Sequence, residues 1–247
     1  VILEKHHCLT MQIGSQRAKR GVLFLFGGGM IIGPDGGDVK AALTIGQKAG
    51  ADVWFPYYPL CTDCCIRETY EMAFECYRQM TAEYGAENIS ILGFSSGAAL
   101  AVGIALHNNA LGRPVPMPRQ IVACSPGAIP TSEEEWQKIL ALNSKDQMVD
   151  AAFMKTNRAL MEHGQSVPDY MLSGVRGDFA GLPHIYFYYG SDEVLYAEAD
   201  YFADACKQAG TPYTMTVGDG MCHCYPMVTF FPEGKQAQNE IIEILSK

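Results

Sequence analysis

Three groups far apart in the chain have the types and the order that nucleophilic catalysis needs: Ser95, then the pair Asp192 and Glu193, then His223. A serine hydroxyl is a weak nucleophile at neutral pH. It needs a base to take its proton and a carboxylate to orient that base and stabilise its charged form. Ser95 is the centre of Gly93-Phe94-Ser95-Ser96-Gly97, set between the apolar run from Ile89 to Leu92 and the small residues Ala98, Ala99, Ala101 and Gly103. This pattern predicts a strand that bends sharply into a helix. The serine hydroxyl then projects from the sheet edge, and the next backbone N–H points into the same space. Gly93 and Gly97 flank a bend in which neighbouring backbones come too close for a Cβ.

Six histidines compete for the role of base. His6 and His7 precede the sheet and read as exposed strand residues, and His107 falls late on the helix after Ser95. His163 lies in a helical excursion, and His184 opens a strand. Only His223 occupies a loop after the last predicted strand, in Gly220-Met221-Cys222-His223-Cys224. The acid comes from Gly190-Ser191-Asp192-Glu193. Adjacent residues point different ways, so one of the two carboxylates faces the imidazole; Asp192 is preferred as the commoner type, with Glu193 as the alternative.

The elements that must carry these groups alternate between strand and helix. Val1 to Ile13 reads as a strand or hairpin arm, and Val22 to Phe26 as a strand covered on both faces. Gly27-Gly28-Gly29 ends the latter, and its bare backbone can supply N–H donors to an oxyanion. Helix is expected over Asp38 to Gly50 and Arg67 to Tyr84, with a strand at Asp52 to Pro56 between them. A further strand at Gln120 to Cys124 is followed by two or three helical segments over about 131–180 that do not alternate with strands. These include Ser132 to Leu142, with Ser132 and Glu135 as a capping box, and Asp146 to His163. Such an excursion at a sheet edge reads as a small helical lid. Strand at Pro183 to Tyr189, helix at Tyr196 to Ala209, strand at Tyr213 to Val217 and helix at Lys235 to Leu245 complete the order. The chain is therefore expected to be one α/β domain over 1–247. Its mostly parallel central sheet, with helices on both faces, delivers serine, acid and histidine to one carboxyl edge.

Composition removes several classes of partner. A net charge of −9, with 27 acidic against 18 basic residues, argues against nucleic acid or an anionic membrane surface. No apolar run is long enough to span a bilayer, although a chain that starts at Val1 rather than Met leaves room for a leader ahead of it. Nine cysteines, an odd number with several in predicted helices or buried strands, favour reduced thiols and a cytoplasmic location. Cys61-Thr62-Asp63-Cys64 has no second pair at metal spacing, and Cys222 and Cys224 astride His223 have no partner ligands nearby. No metal or cofactor is expected.

Taken together, Gly27-Gly28-Gly29, Gly93-Phe94-Ser95-Ser96-Gly97, Gly190-Ser191-Asp192-Glu193-Val194-Leu195 and Gly220-Met221-Cys222-His223 resemble the α/β-hydrolase fold esterases of the bacterial hormone-sensitive-lipase-like family. The resemblance spans roughly residues 20 to 245 and implies a serine carboxylester hydrolase acting on short acyl chains. It places the oxyanion hole at the backbone N–H groups of Gly28, Gly29 and Ser96. The expected partner is a small-molecule ester, and a homodimer of the chain is left open. The sequence departs from the family at Phe26, where histidine is usual, at Phe94, where aspartate is frequent, and at Cys61-Thr62-Asp63, where Ala-Pro-Glu is common. Without the family's N-terminal lid helices, residues 131 to 180 must cover the site alone or leave it open. A non-catalytic binding protein on the same fold and an amidase or formamidase with the same triad are the rival readings.

Overall fold

The computed structural model describes residues 2, 3 and 6–247; Val1, Glu4 and Lys5, part of the expected first strand, lie outside the described residues. The elements in chain order are β1 (Ile2–Leu3), β2 (His6–Met11), β3 (Gly21–Leu25), α1 (Gly36–Ala49), β4 (Asp52–Pro56), α2 (Ile66–Tyr84), β5 (Ile89–Phe94), α3 (Ser96–Ala110) and β6 (Gln120–Cys124). They continue with α4 (Glu133–Leu142), α5 (Ala151–Glu162), α6 (Asp169–Leu172), β7 (His184–Gly190), α7 (Ala199–Ala209), β8 (Tyr213–Gly218) and α8 (Pro232–Ser246).

The strands form one sheet in the order β1-β2-β4-β3-β5-β6-β7-β8. The β1–β2 and β2–β4 pairs are antiparallel, and every other pair is parallel. Full burial of β3, β4, β5 and β6 explains their predominantly apolar sequences, in which Asp52, Ser90 and Gln120 are the buried polar exceptions. The helices pack over the sheet, α1 beside α8 and α2 beside α3. Phe24, Phe26, Phe55 and Tyr58 form a ring cluster with centroids 4.1–5.7 Å apart, each at most 3% exposed. Burial of each such side chain contributes about 1.5–3 kcal/mol.

Two local signals resolve differently from their sequence reading. Ser132 Oγ accepts from the Glu135 N–H at 3.2 Å as a cap should, but the Glu135 carboxylate turns to the Thr131 N–H at 2.5 Å and to Arg176. The box closes one residue early because Arg176 draws the carboxylate away. The next helix starts at Ala151 instead of Asp146. Asp146 Oδ1 accepts from the Met148 and Val149 N–H groups and its Oδ2 from the Val194 N–H at 2.8 Å, so Asp146 ties this segment to the loop after β7. Asp150 caps α5 in its place.

Candidate active site

Ser95 joins β5 to α3 at φ 55 and ψ −126, a strained conformation for a residue with a side chain. Close packing imposes the bend. A Cβ on Gly97 would collide with the carbonyls of Leu25 and Phe26, and one on Gly93 with the Gly97 carbonyl. The Ser95 N–H is fixed on Cys124 O at 2.8 Å, which leaves the hydroxyl free to point away from the sheet.

His223 reaches that hydroxyl from the loop after β8. Ser95 Oγ donates to His223 Nε2 at 2.9 Å, and His223 Nδ1–H donates to Glu193 Oε2. The imidazole is 5% exposed and Glu193 is fully buried. Glu193 Oε1 accepts from the Gly190 N–H at 3.1 Å, so both of its oxygens are engaged. The preference for Asp192 over Glu193 is corrected here. Asp192 turns outward to an ion pair with Lys145 at 3.3 Å, in which both side chains are more than a third exposed. The loop path explains the choice: Ser191 N–H donates to Gly218 O and Asp192 N–H to Met221 O, which straps the backbone to the histidine loop and leaves residue 193 facing inward.

The glycine loop after β3 faces the same space. Gly28, at φ 116, accepts through its carbonyl from the Ile31 and Ile32 N–H groups, and a Cβ there would collide with Ile32 O. Among the described residues, the N–H groups of Gly28, Gly29 and Ser96 donate to no protein acceptor. Three braces hold the loop. Ser96 Oγ accepts from the Met30 N–H at 3.2 Å, Met30 O accepts from the Cys61 N–H at 2.7 Å, and the Tyr58 hydroxyl donates to Phe26 O at 2.5 Å. Phe26 stacks on Tyr58 with ring planes 3° apart. The support expected from a histidine before the glycines comes from Tyr58 instead.

Sequence reasoning missed Tyr58 and Ser125, and weighed Cys224 only as a metal ligand. Ser125, fully buried at φ 55, accepts through Oγ from the Cys224 N–H at 3.0 Å and anchors the histidine loop to β6. The Cys224 thiol lies 3.6 Å from His223 Nε2. The signal in the sequence for Ser125 is its place in Ser125-Pro126-Gly127, where the chain leaves β6. The loop cysteines at 61 and 64 are hindered as nucleophiles, since burial pushes their thiols up to about 12 and about 11.

Burial disfavours the charged imidazole of His223, while the Cys224 thiol and the Glu193 carboxylate favour it; the net effect moves its pKa well above 6.5. General base catalysis requires the neutral ring, so kcat/KM should rise with pH through that displaced pKa. We expect the acid limb of an ester pH–rate profile to have its midpoint above 6.5, and a Glu193→Gln variant to move it down. An unmoved midpoint in the variant contradicts the coupling.

Ser95, His223 and the glycine loop line one cavity of about 710 Å³. Its other walls come from Ile66 and Tyr70 of α2, Ala128 and Ile129 after β6, and Met154, Asn157 and Met161 of α5. Among the described residues no helix is long and apolar enough to cross a membrane.

A parallel sheet with an antiparallel edge, a strained serine between a strand and its following helix, and a histidine after the last strand define an α/β-hydrolase fold. The chain belongs to the alpha/beta hydrolase fold family, whose family model matches residues 22–227. Among curated proteins it is similar to an acetyl-hydrolase of Streptomyces hygroscopicus, 27% identical over 235 residues that cover 94% of this chain and 77% of that protein. Among solved structures it is similar to EstE5 soaked with p-nitrophenyl butyrate, at TM-score 0.88 and 22% identity, covering 100% of this chain and 82% of that one. A hormone-sensitive lipase from a metagenome library gives TM-score 0.87 at 22% identity, covering 100% and 84%.

Proposed function

We propose that the protein is a serine carboxylester hydrolase acting on short-chain acyl esters through an acyl-enzyme intermediate. The observation that carries this reading is the continuous hydrogen-bonded chain from Ser95 through His223 to Glu193, set beside three uncommitted backbone N–H groups. His223 Nε2 takes the proton as Ser95 Oγ attacks the ester carbonyl, and Glu193 stabilises the imidazolium. The N–H groups of Gly28, Gly29 and Ser96 hold the tetrahedral oxyanion. The imidazolium then gives its proton to the leaving alcohol, and water activated by the same base releases the acid. The mostly apolar cavity, the acetyl-hydrolase relative and the p-nitrophenyl butyrate soaked into a structural relative support a short acyl chain. In this reading residues of about 131–180 act as the lid, and the free thiols of Cys61, Cys65, Cys124 and Cys206 support a cytoplasmic setting.

The test is covalent labelling. A fluorophosphonate should phosphonylate the chain once, with the adduct mapped by mass spectrometry to Ser95; an unlabelled serine favours a non-catalytic binding protein. A second test concerns the oxyanion loop. Gly28→Ala cannot keep φ 116 without strain and drives a methyl into Ile32 O. It should lower kcat for p-nitrophenyl acetate by about 10²–10³-fold, the range for loss of an oxyanion donor, while fluorescence and circular dichroism still report a folded chain.

A further inference from the structure

We propose that Asn157 is a specificity-determining residue, and that the ester this site takes carries a second polar group, a hydroxyl or amide N–H, on the chain lying against α5. The inference rests on the ester-hydrolase reading above and names its substrate class. Met154, Asn157 and Met161 are spaced to share one face of α5, and all three lie on the cavity wall, each under 10% exposed. Ile66, Tyr70, Met171 and Leu172 line the same cavity. Asn157 is 3% exposed, and its Oδ1 has no hydrogen-bond partner among the described residues.

The other polar side chains of the cavity are committed. Ser95 and His223 bond to each other, and Ser96 holds the Met30 N–H. Asp35 and Asp38 form the capping box of α1, Asp150 caps α5, and the Tyr70 hydroxyl donates to Tyr170 O at 3.4 Å. A carboxamide buried in an apolar wall without a partner costs stability that a leucine of similar volume would not. A substrate group that donates to Oδ1 offsets the cost, and an isosteric alkyl group leaves the amide unpaired in the complex. A site built to hydrogen-bond its substrate therefore discriminates against the analogue lacking that group.

The experiment compares isosteric pairs by pH-stat. Methyl 6-hydroxyhexanoate against methyl heptanoate probes the acyl side, and 6-hydroxyhexyl acetate against heptyl acetate the alcohol side, each with shorter homologues. The wild-type protein should favour the hydroxyl member of at least one pair by about ten- to a hundredfold in kcat/KM. Asn157→Leu should reverse that preference, losing on the hydroxyl ester and gaining on the alkyl one, a split that a merely structural role would not produce. Alkyl preference in every wild-type pair, or a ratio unchanged in the variant, overturns the inference while ester hydrolysis stands. No turnover of any ester, with Ser95 unlabelled by fluorophosphonate, overturns it together with the reading beneath it. A melting curve and fluorophosphonate labelling of the variant check that a lost preference is not a lost fold.

Discussion

Ser95→Ala should lower kcat for p-nitrophenyl acetate by about 10⁴-fold or more, the scale seen when a serine nucleophile is removed from a triad. The fold should survive because the hydroxyl does no structural work: it donates to His223 Nε2, whereas the bend itself is held by the Ser95 N–H on Cys124 O and by the Ala98 and Ala99 N–H groups on Ser95 O. Alanine keeps those backbone bonds and occupies φ 55 at much the same steric cost as serine. The melting temperature should therefore stay within about 2–4 °C of wild type, a stability change of roughly 1 kcal/mol or less for a domain of this size. The residual rate reports what the N–H groups of Gly28, Gly29 and Ser96 supply alone, so combining Ser95→Ala with Gly28→Ala should remove part of that remainder. Turnover close to wild type in the single variant would assign the chemistry to another nucleophile, and the thiol of Cys224 beside the imidazole would be the first to test.

The order of serine, acid and histidine was legible because each group follows a strand of the parallel part of the sheet, β5, β7 and β8, and parallel strands deliver their ends to one edge whatever the loops do. The elbow was legible for the same kind of reason: Gly93 and Gly97 are excluded from carrying a Cβ by backbone four or five residues away or at the end of the adjacent strand. What could not be read from sequence depends on contacts between loops. The choice between residues 192 and 193 is made by the straps from Ser191 to Gly218 and from Asp192 to Met221, and nothing in Gly190-Ser191-Asp192-Glu193 announces them. Tyr58 as the brace of the glycine loop is invisible for a similar reason, since its hydroxyl crosses from β4's end to the carbonyl of Phe26, 32 residues earlier. The late start of α5 follows from Asp146 spending its carboxylate on Val194, a partner 48 residues away, so local helix propensity loses to a tertiary hydrogen bond.

Exchanging each of the two neighbouring acids for its amide should separate their roles by orders of magnitude. Glu193→Gln preserves size but replaces a charge that is fully buried against the imidazole. The neutral amide no longer stabilises the imidazolium, and its NH₂ competes with the orientation that places Nδ1–H toward residue 193, so the wrong tautomer is favoured. Replacing the carboxylate of such a triad by its amide costs about 10⁴-fold in kcat. Asp192→Asn removes one partner of a solvent-exposed pair with Lys145, an interaction worth about 1 kcal/mol at most and screened by salt. Its kcat should remain within about threefold of wild type, with a correspondingly small change in melting temperature. The pair of measurements also distinguishes geometry from field. If Glu193 acted only by filling space, Glu193→Gln would behave like Asp192→Asn; if it acts by charge, the deficit in Glu193→Gln should be accompanied by the downward move of the acid limb, because a cause of the raised imidazole pKa has gone. Equal, large losses in both variants would instead mean that the Lys145–Asp192 pair holds the loop in register, and that the serine–histidine contact depends on a surface ion pair that solvent exposure argues is weak.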